Sequence, residues 1–410
     1  MFSALGHYNY RLHFTGQFIS LIGTWMQRVA IGWLIYRLTG SAFMLGLIGF
    51  LGLIPALILS PMAGNLVDRK NKFKIVFIAQ ILFMTQAGVL AFLIWFKYYN
   101  ITIIALLSLI QGVIGTFETT ARQALIPEFV EDPAHLPNAV ALNSSAFNAA
   151  RLLGPAIAGM VLGLYGEDAC FIINFLSFIP VIACLLLMKL PPEQIKPKAE
   201  SIWNGLKKGL TYLEESPDIT NLIIILAFSS LLTIPFSTLL PVFAKDIFQG
   251  NATTFSWFES AGGLGALLGA IYMTTLKPQR NLQHLVIAAI SIFGVGLILL
   301  SLSGSVGMAL FSTALACIGM MLQTASINTY IQMHTTNELR GRAISYYLMA
   351  YQGILPLGTL LIGFMANEIG AKATVLMEGI SALLIVSAYL AYLKYKDKIS
   401  LVIIEKTNLK

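Results

Sequence analysis

Charged side chains are scarce in this 410-residue chain. Asp, Glu, Lys and Arg together make up 11% of it and hydrophobic residues 57%, whereas soluble globular proteins have about 25% charged and 45–50% apolar residues. This shortage of charge argues against a soluble globular fold. Apolar runs of about 20 residues recur along the chain, and each is long enough to cross a hydrocarbon core of about 30 Å as a helix. The composition therefore predicts an integral membrane protein that contacts the lipid bilayer along most of its length.

Cysteine and histidine are also few, and their spacing does not suit metal binding or catalysis. The three cysteines, Cys170, Cys184 and Cys317, lie in or next to apolar runs without a CxxC pair, which is typical of small core residues. The five histidines are scattered over separate loops and helix ends, and no HExxH or GxSxG motif is present. We therefore expect no metal, no cofactor and no catalytic residue, so an integral-membrane enzyme is disfavoured.

Hydropathy predicts an all-α membrane protein with twelve transmembrane helices in two pseudo-symmetric six-helix bundles. The predicted spans are 12–36, 43–66, 73–97, 101–124, 137–164, 168–190, 218–246, 253–276, 282–302, 305–332, 341–366 and 371–396. The first span is followed by no small-residue cleavage site, so we interpret it as a retained helix rather than a signal peptide.

The distribution of Lys and Arg predicts the orientation of these helices. The short loop at 64–74 carries Arg69, Lys70, Lys72 and Lys74 against one acid, and positive short loops stay in the cytoplasm. With alternating spans, both termini are then cytoplasmic, and most of the 26 Lys and Arg residues fall on that side. The same bias accounts for the net charge of +7, so nucleic-acid binding is not expected.

One segment rich in Pro, Lys and Glu interrupts the rhythm of short loops and divides the chain. The predicted domains are an N-terminal bundle at 1–190, a cytoplasmic linker at 191–217, a C-terminal bundle at 218–396 and a cytoplasmic tail at 397–410. Within the linker, four apolar residues fall on one helical face: Trp203, Leu206, Leu210 and Leu213. This pattern suits a helix at the membrane surface, and a solvated linker helix is the alternative.

The two predicted bundles are related by an internal repeat. A shift of 204 positions superposes three residue pairs, Asn148 on Gln352, Gly154 on Gly358 and Gly159 on Gly363. In transporters built from parallel repeats, the substrate site lies near the midplane between the halves, and one half rocks against the other. The repeat therefore predicts a transporter whose site lies between the bundles.

The loop at 64–74 resembles the signature of the major facilitator superfamily. Gly64, Asp68, Arg69 and Lys72 match it, whereas Asn71 stands where Gly is usual. Further runs are similar to the branch that contains the enterobactin exporter and the macrolide-efflux proteins, also called transmembrane secretion effectors. These runs are Trp25 to Arg28, Trp33, Leu38 to Ser41, Ala121 to Pro127, Ala139 to Ser144 and Asn148 to Pro155.

This resemblance implies a bacterial inner-membrane exporter of a small organic molecule, either a siderophore or an amphipathic drug such as a macrolide. It also implies proton antiport with alternating access by a single chain, and it leaves an outer-membrane efflux partner open. An importer of a small metabolite is the alternative, and a non-transporting scaffold is disfavoured because no large soluble domain is present.

Two arginines fall inside predicted spans and are candidates for the substrate cavity. A central cation costs about 2.5–3.5 kcal/mol on insertion scales, so Arg28 and Arg151 must face partners or water. They are expected to bind an anionic substrate group or to act on a nearby carboxylate, and a structural helix-to-helix pair is the alternative. Asn148, one turn before Arg151, is a candidate hydrogen-bonding partner. Trp25 and Tyr351 are candidates for stacking on the substrate, with core packing as the alternative.

A gate latch is expected at the cytoplasmic end of the bundle. Glu118 and Arg122 are spaced i,i+4 and can pair on one helix face. By resemblance, Asp68 should face the start of the span at 341–366, where the positive helix end favours an acid, and Arg69 should approach Glu118. The alternative is that the loop charges only set topology. The second half has Lys277-Pro278-Gln279-Arg280 in the equivalent place, without an Asp-Arg pair. A latch is therefore predicted in the first half only.

Two further features concern helix flexibility and proton coupling. Gly154, Pro155 and Gly159 resemble the antiporter signature of span five and could form a hinge, with close packing as the alternative.

Glu259 and Glu378 are the acids placed inside second-half spans, where a buried carboxyl can carry a proton. The alternative is that each lies near a membrane face and is solvated. The Arg that drug/proton antiporters commonly carry before Gln-Gly in span four is replaced here by Ser108.

Overall fold

The computed structural model describes residues 3–130, 132–189, 210–276 and 281–408, and every regular element in these ranges is a helix. The first half of the chain forms six long helices. They are α1 (Tyr8–Thr39), α2 (Ala42–Arg69), α3 (Lys72–Trp95), α4 (Ile101–Leu125), α5 (Leu136–Tyr165) and α6 (Glu167–Leu187). Short 3-10 turns at Ile126–Phe129 and Pro133–His135 lead into α5.

The second half begins with α7 (Pro217–Leu232), which continues as a 3-10 turn at Ile234–Leu239, a short α-helical turn at Leu240–Val242 and a π-helical turn at Phe243–Ile247. Three regular helices follow, α8 (Ala252–Thr274), α9 (Leu282–Leu302) and α10 (Val306–His334). The next span consists of α11 (Asn337–Leu348), a π-helical turn at Met349–Gly353 and α12 (Leu355–Ile369). The last helix, α13, runs over Ala371–Asn408.

Eleven helical segments of the described residues are long and apolar enough to cross a membrane. The predicted span at 253–276 is present as α8 but is not among them, because the helix carries Glu259, several hydroxyl residues and four glycines. All twelve predicted segments are therefore helical, while the count of twelve spans is met only in part. In addition, α13 continues past residue 396, where a separate tail was predicted, since neither Gly nor Pro occurs between residues 380 and 408. Most of the predicted linker, including Trp203 and Leu206, and the segment 277–280 lie outside the described residues.

Packing within each half is tight, and two helix pairs join the halves. In the first half, α1 packs against α5 and α6, and α4 packs against α2 and α3; in the second half, α10 packs against α8 and α9. Between the halves, α5 packs against α8 and α2 packs against α12. The interfaces between the halves are therefore formed by α5 with α8 and by α2 with α12.

Close glycine contacts occupy equivalent places in these two interfaces. A Cβ atom on Gly159 would lie 2.7 Å from Cβ of Ser256, and one on Gly363 would lie 2.9 Å from Cα of Gly46. Gly159 and Gly363 are 204 positions apart, and Gly46 and Ser256 are 210 apart. The internal repeat predicted from the sequence therefore has equivalent contacts in the structure, and small residues allow the helix backbones to approach closely.

The polar contacts between the halves gather at one end of the bundle. We call the end that carries residues 69–74 the basic end and the other the opposite end. At the opposite end, the Tyr36 hydroxyl donates a hydrogen bond to Asp246, and Ser41 Oγ lies 3.3 Å from Asn367 Oδ1. At the basic end, Gly64 has open space where a Cβ atom would lie. These two hydrogen bonds between the halves therefore lie at the opposite end of the bundle.

Candidate substrate site

Arg28 and Arg151 share one aromatic ring. Arg28 lies one turn after Trp25 on α1, and its guanidinium carbon is 5.0 Å from the centroid of the indole. The guanidinium carbon of Arg151 on α5 is 5.9 Å from the same centroid. Cation–π attraction offsets part of the cost of holding two like charges together. Of the predicted cavity residues, these three are therefore brought into one cluster.

The position of Trp25 depends on a glycine of α5. A Cβ atom on Gly154 would collide with Cβ of Trp25 and would lie 3.2 Å from the carbonyl oxygen of Ile22. Pro155 lies inside the helix at Leu136–Tyr165, which continues on both sides of it. Gly154 thus provides close packing between α1 and α5, whereas the predicted hinge role of Gly154, Pro155 and Gly159 stays a prediction.

Glu259 of the second half faces the two arginines. It lies two turns into α8 and interacts electrostatically with both Arg28 and Arg151. No ion pair within 4 Å joins it to either arginine among the residues that the structure describes. The structure therefore places Glu259 between the halves rather than at a membrane face.

Tyr351 completes this cluster from the second half. It lies in the π-helical turn Met349–Gly353, is half-buried and interacts electrostatically with Arg28. Its equivalent in the first half is Phe147, 204 positions earlier, whose ring centroid is 5.8 Å from that of Trp25. The side chain of Arg28 is exposed although its neighbours belong to α5, α8 and this turn. Arg28 therefore faces the space between the halves rather than lipid.

Asn148 does not contact the arginines. Its Nδ2 atom donates a hydrogen bond of 2.9 Å to the carbonyl oxygen of Ser144 on the same helix. Ser144 and Ser145 likewise donate to carbonyl oxygens one turn earlier. The hydrogen-bond network expected between Asn148 and Arg151 is absent from this part of the described chain, and a role of Asn148 in substrate binding stays a prediction.

Nearly the whole chain matches one known protein family. The family model described as transmembrane secretion effector, a group of the major facilitator superfamily, matches residues 1–403. The chain belongs to this family. The resemblance found in the sequence is thereby confirmed.

Curated relatives of this transmembrane secretion effector cover nearly the whole chain. The staphyloferrin A transporter of Staphylococcus aureus is 25% identical, over 92% of this chain and 94% of the relative. The macrolide efflux protein A of Streptococcus pyogenes is 22% identical, over 90% and 93%. The multidrug efflux pump Tap of Mycolicibacterium fortuitum is 24% identical, over 90% and 92%.

Solved structures confirm the predicted major facilitator fold. A bacterial homologue of the human lysosomal transporter Spinster, in an inward-facing and unoccupied conformation, matches with a TM-score of 0.75 at 13% identity, covering 94% of this chain and 98% of the other. The nucleoside transporter NupG matches with a TM-score of 0.73 at 14% identity, covering 94% and 99%. Together with the family match and the eleven candidate spans, this fold makes the transmembrane secretion effector a multi-pass membrane transporter.

Of the residues predicted to form a gate latch, Glu118 and Arg122 make an ion pair. Nε of Arg122 lies 2.9 Å from Oε1 of Glu118, and the Gln80 amide donates to the same oxygen at 3.3 Å. Glu118 is buried, while Asp68 and Arg69 are exposed and make no ion pair among the described residues. The structure thus contains the Glu118–Arg122 pair, whereas the latch itself stays a prediction.

Glu378 differs from Glu259 in having no charged neighbour among the described residues. It lies on α13, is 1% exposed, and both of its carboxyl oxygens lack a hydrogen-bond partner in this part of the chain. The next residue, Gly379, packs against α9, where a Cβ atom would lie 2.9 Å from the carbonyl oxygen of Gly294. An unpaired carboxylate in apolar surroundings is costly, and a role of Glu378 in proton coupling stays a prediction.

Sequence reasoning missed the polar contacts at the opposite end of the bundle. Tyr36 of α1 and Asp246 of the second half join the two halves, and the Lys245 ammonium lies 5.3 Å from the centroid of the Tyr36 ring. The available signal was the pair Lys245-Asp246 at the end of an apolar run. A pair of charges at a span end is commonly solvated, so the sequence does not identify its partner.

Proposed function

We propose that this transmembrane secretion effector exports a small organic molecule that carries negative charge. The observation that supports this proposal is the cluster of Arg28 and Arg151 on one indole, facing the space between the halves. Two cations held inside a membrane protein are costly unless anionic groups accompany them, and Glu259, the one acid that interacts with both among the described residues, can balance at most one of them. An anionic cargo would balance the other.

A siderophore is the cargo class that we favour, and an amphipathic drug is the second candidate. The relative named as a staphyloferrin A transporter supports the first, and the relatives named as macrolide and multidrug efflux proteins support the second. The excess of positive charge around Arg28 favours an acidic siderophore. The aromatic rings of Trp25, Phe147 and Tyr351 would also suit an amphipathic drug. Import of a small metabolite is the alternative within transport.

Deleting the gene in its bacterial host tests this assignment. We expect the amount of iron chelator in the medium to fall severalfold, because export is lost while synthesis continues, and we expect macrolide susceptibility to stay unchanged. Chelator in the medium and inside the cells is measured together with the inhibitory macrolide concentration. Complementation with the wild-type gene is the control. Unchanged chelator secretion with increased macrolide sensitivity would replace the siderophore by a drug, and reduced uptake of a metabolite would indicate import.

The second part of the proposal is alternating access in the inner membrane with both termini in the cytoplasm. The positive loop at 64–74 supports this orientation, and the hydrogen bonds between the halves at the opposite end support an inward-facing state for the described conformation. When the basic end closes, Asp68 would reach the positive end of α11 and Arg69 would reach Glu118. The ion pair with Arg122 already fixes the position of the Glu118 carboxylate for this contact. We propose that the chain works as a monomer, and that an outer-membrane partner would carry the cargo onward in hosts with two membranes.

Replacing Asp68 by Asn tests the latch. We expect export to fall about tenfold or more, since removing the charge weakens the closed basic end and shifts the population to the inward-facing state. Membrane insertion and protein amount should stay at wild-type levels, and Asp132→Asn, an exposed acid of the same end, is the matched control. A cysteine introduced at Lys70 should react with an impermeant maleimide only after the cells are permeabilised. Wild-type export by the Asp68 variant would remove the latch from the mechanism.

The third part of the proposal is proton antiport with Glu378 as the proton carrier. Glu378 has no hydrogen-bond partner among the described residues, and burying an unpaired carboxylate is costly unless the group carries a proton. Glu259, by contrast, has Arg28 and Arg151 as electrostatic partners. We therefore assign the role of proton carrier to Glu378. Release of the proton would follow the movement of α13 that gives Glu378 access to water.

A further inference from the structure

Two histidines that are far apart in the sequence share a hydrogen bond at the basic end of the bundle. His7 joins the 3-10 turn Ser3–Gly6, which we call the N-terminal turn, to α1, and His135 directly precedes α5. Nε2 of His7 lies 2.9 Å from Nδ1 of His135. The ring centroids are 5.2 Å apart in an edge-to-face arrangement, and both residues are half-buried. The pair lies outside the candidate cargo site.

The histidine pair belongs to a set of contacts that fixes the N-terminal turn to the start of α5. The amide of Ala4 donates to Oδ1 of Asn138 at 3.0 Å. The hydroxyl of Tyr10 donates to the carbonyl oxygen of Ala139 at 2.7 Å. Ala4 is fully buried, in the same apolar cluster as Val67 near the end of α2. The N-terminal turn is therefore part of the core that holds the basic ends of α1, α2 and α5 together.

The hydrogen bond between the two imidazoles depends on how many protons they carry. When both rings are neutral, the N–H of one donates to the lone pair of the other, and one added proton leaves this arrangement intact. When every ring nitrogen carries a proton, two N–H groups face each other and two positive charges lie about as far apart as the ring centroids, 5.2 Å. Imidazole changes its charge between about pH 5 and pH 8. The contact is therefore lost as the pH falls.

The elements packed around the pair carry charges of both signs. Asp132 precedes His135, and its carboxylate accepts from a backbone amide of the same turn. Glu128 forms an ion pair with Lys72, and Glu131 lies outside the described residues. The other titratable groups on these elements are Tyr8, Tyr10, Arg11 and His13 on α1 and Lys189 after α6. Because the two imidazole nitrogens are in direct contact, none of these groups lies between them, and the pair titrates as a unit.

We propose that His7 and His135 form a pH-sensitive switch that slows transport when the cytoplasm becomes acidic. At neutral pH the pair holds the N-terminal turn against α5, and in acid the second proton breaks the contact and releases the turn. Release withdraws Ala4 from the apolar cluster that contains Val67, beside the proposed latch, so the basic end closes less readily. The inference goes beyond the proposed function, from which it takes the cytoplasmic position of the basic end and the need for this end to close.

Hydrogen–deuterium exchange of the full chain in nanodiscs measures whether the N-terminal turn is docked. The released state binds one more proton than the docked state, so the docking equilibrium shifts by up to about tenfold per pH unit. After correction for the intrinsic pH dependence of amide exchange, protection of the N-terminal peptide should fall about tenfold or more between about pH 7.5 and pH 5.5. Unchanged protection over this range would overturn the proposal.

Glutamine variants separate the histidine pair from other effects of acid. His135→Gln keeps a side chain that can hydrogen-bond but gains no proton, so protection of its N-terminal peptide should not depend on pH. His7→Gln should behave in the same way, and it tests the pair if the His135 variant does not fold. His284→Gln removes an exposed histidine at the start of α9 and, as the matched control, should keep the wild-type pH dependence. An equal loss of protection in acid in the wild type and both pair variants would overturn the proposal.

Export into everted vesicles tests the regulatory role, because the proposed orientation exposes their cytoplasmic face to the buffer. The pH is lowered on both sides so that the gradient stays constant. Wild-type export should then fall severalfold between about pH 7.5 and pH 5.5, and His135→Gln should lose much less of its export. An equal fall in both proteins would overturn the regulatory role. The exchange measurement needs no cargo, so a wrong cargo assignment would leave the switch standing, and a docked turn at acidic pH would leave the proposed function standing.

Discussion

Replacing Arg151 by alanine should abolish export of the native cargo. The guanidinium group is one of two cations that face the space between the halves, and removing it leaves Arg28 balanced by Glu259 alone. The attraction for an anionic cargo is then lost. Truncating one partner of a buried charge pair typically costs about 2–5 kcal/mol, which corresponds to a loss of affinity of about 30-fold to several thousandfold. Initial rates of cargo uptake into everted membrane vesicles measure the effect.

Two further variants show whether the charge or the fold is affected. Arg151→Lys keeps the charge but not the planar group that lies over Trp25, and we expect partial export with weakened affinity. Arg37→Ala removes an arginine that pairs with Glu167 at the opposite end of the bundle, and its export should stay close to the wild-type rate. Export by the Arg151→Ala protein at the wild-type rate would show that the cluster with Trp25 is structural.

The Glu378→Gln variant should export without any dependence on the proton gradient. Glutamine has nearly the shape of a protonated glutamate but cannot release a proton, so the variant should fold as the wild type does. A gradient of one pH unit stores about 1.4 kcal/mol per proton, which corresponds to tenfold accumulation of cargo. We therefore expect about tenfold less accumulation in everted vesicles at that gradient. Cargo-induced proton release, followed with a pH-sensitive dye, should disappear.

The control for this prediction is Glu368→Gln, which removes an exposed acid from the same half. Glu378→Asp retains a titratable group and should keep part of the gradient-driven accumulation. Gradient-driven export by the Glu378→Gln protein at the wild-type level would mean that this carboxyl group only fills a place in the core. Glu259 would then be the acid to test for proton coupling.

Helix positions were predictable from hydropathy, but breaks inside the helices were not. The predicted span at 218–246 contains Pro235 and Pro241, which lack backbone donors, and the structure has 3-10 and π-helical turns there. The π-helical turn at Met349–Gly353 is likewise followed by a proline, Pro356, which lacks the backbone donor for the carbonyl of Gln352. This turn also contacts α2 and α7. Hydropathy therefore gives the length of a span, and prolines mark where it can break without fixing which kind of turn forms.

The candidate site could be predicted in part for a similar reason. An arginine inside a span must have polar surroundings, so Arg28 and Arg151 stand out in the sequence. The identity of the partner does not, because Arg28 and Glu259 belong to different halves and no spacing rule relates them. Glu118 and Arg122 illustrate the opposite case, since an i,i+4 pair follows from helix geometry alone, and the structure contains it.

The glycine contacts at Gly159 and Gly363 have a consequence for the speed of the transport cycle. Glycine has no side chain, so no side-chain rotamers are lost on the glycine side of these two interfaces when they close. The entropy that usually opposes the closing of an interface is small at these two places. In the proposed rocking of the two halves, these glycine contacts would therefore add little to the entropic cost of closing the opposite end. The hydrogen bonds of Tyr36 with Asp246 and of Ser41 with Asn367 would then be the contacts that have to break when this end opens.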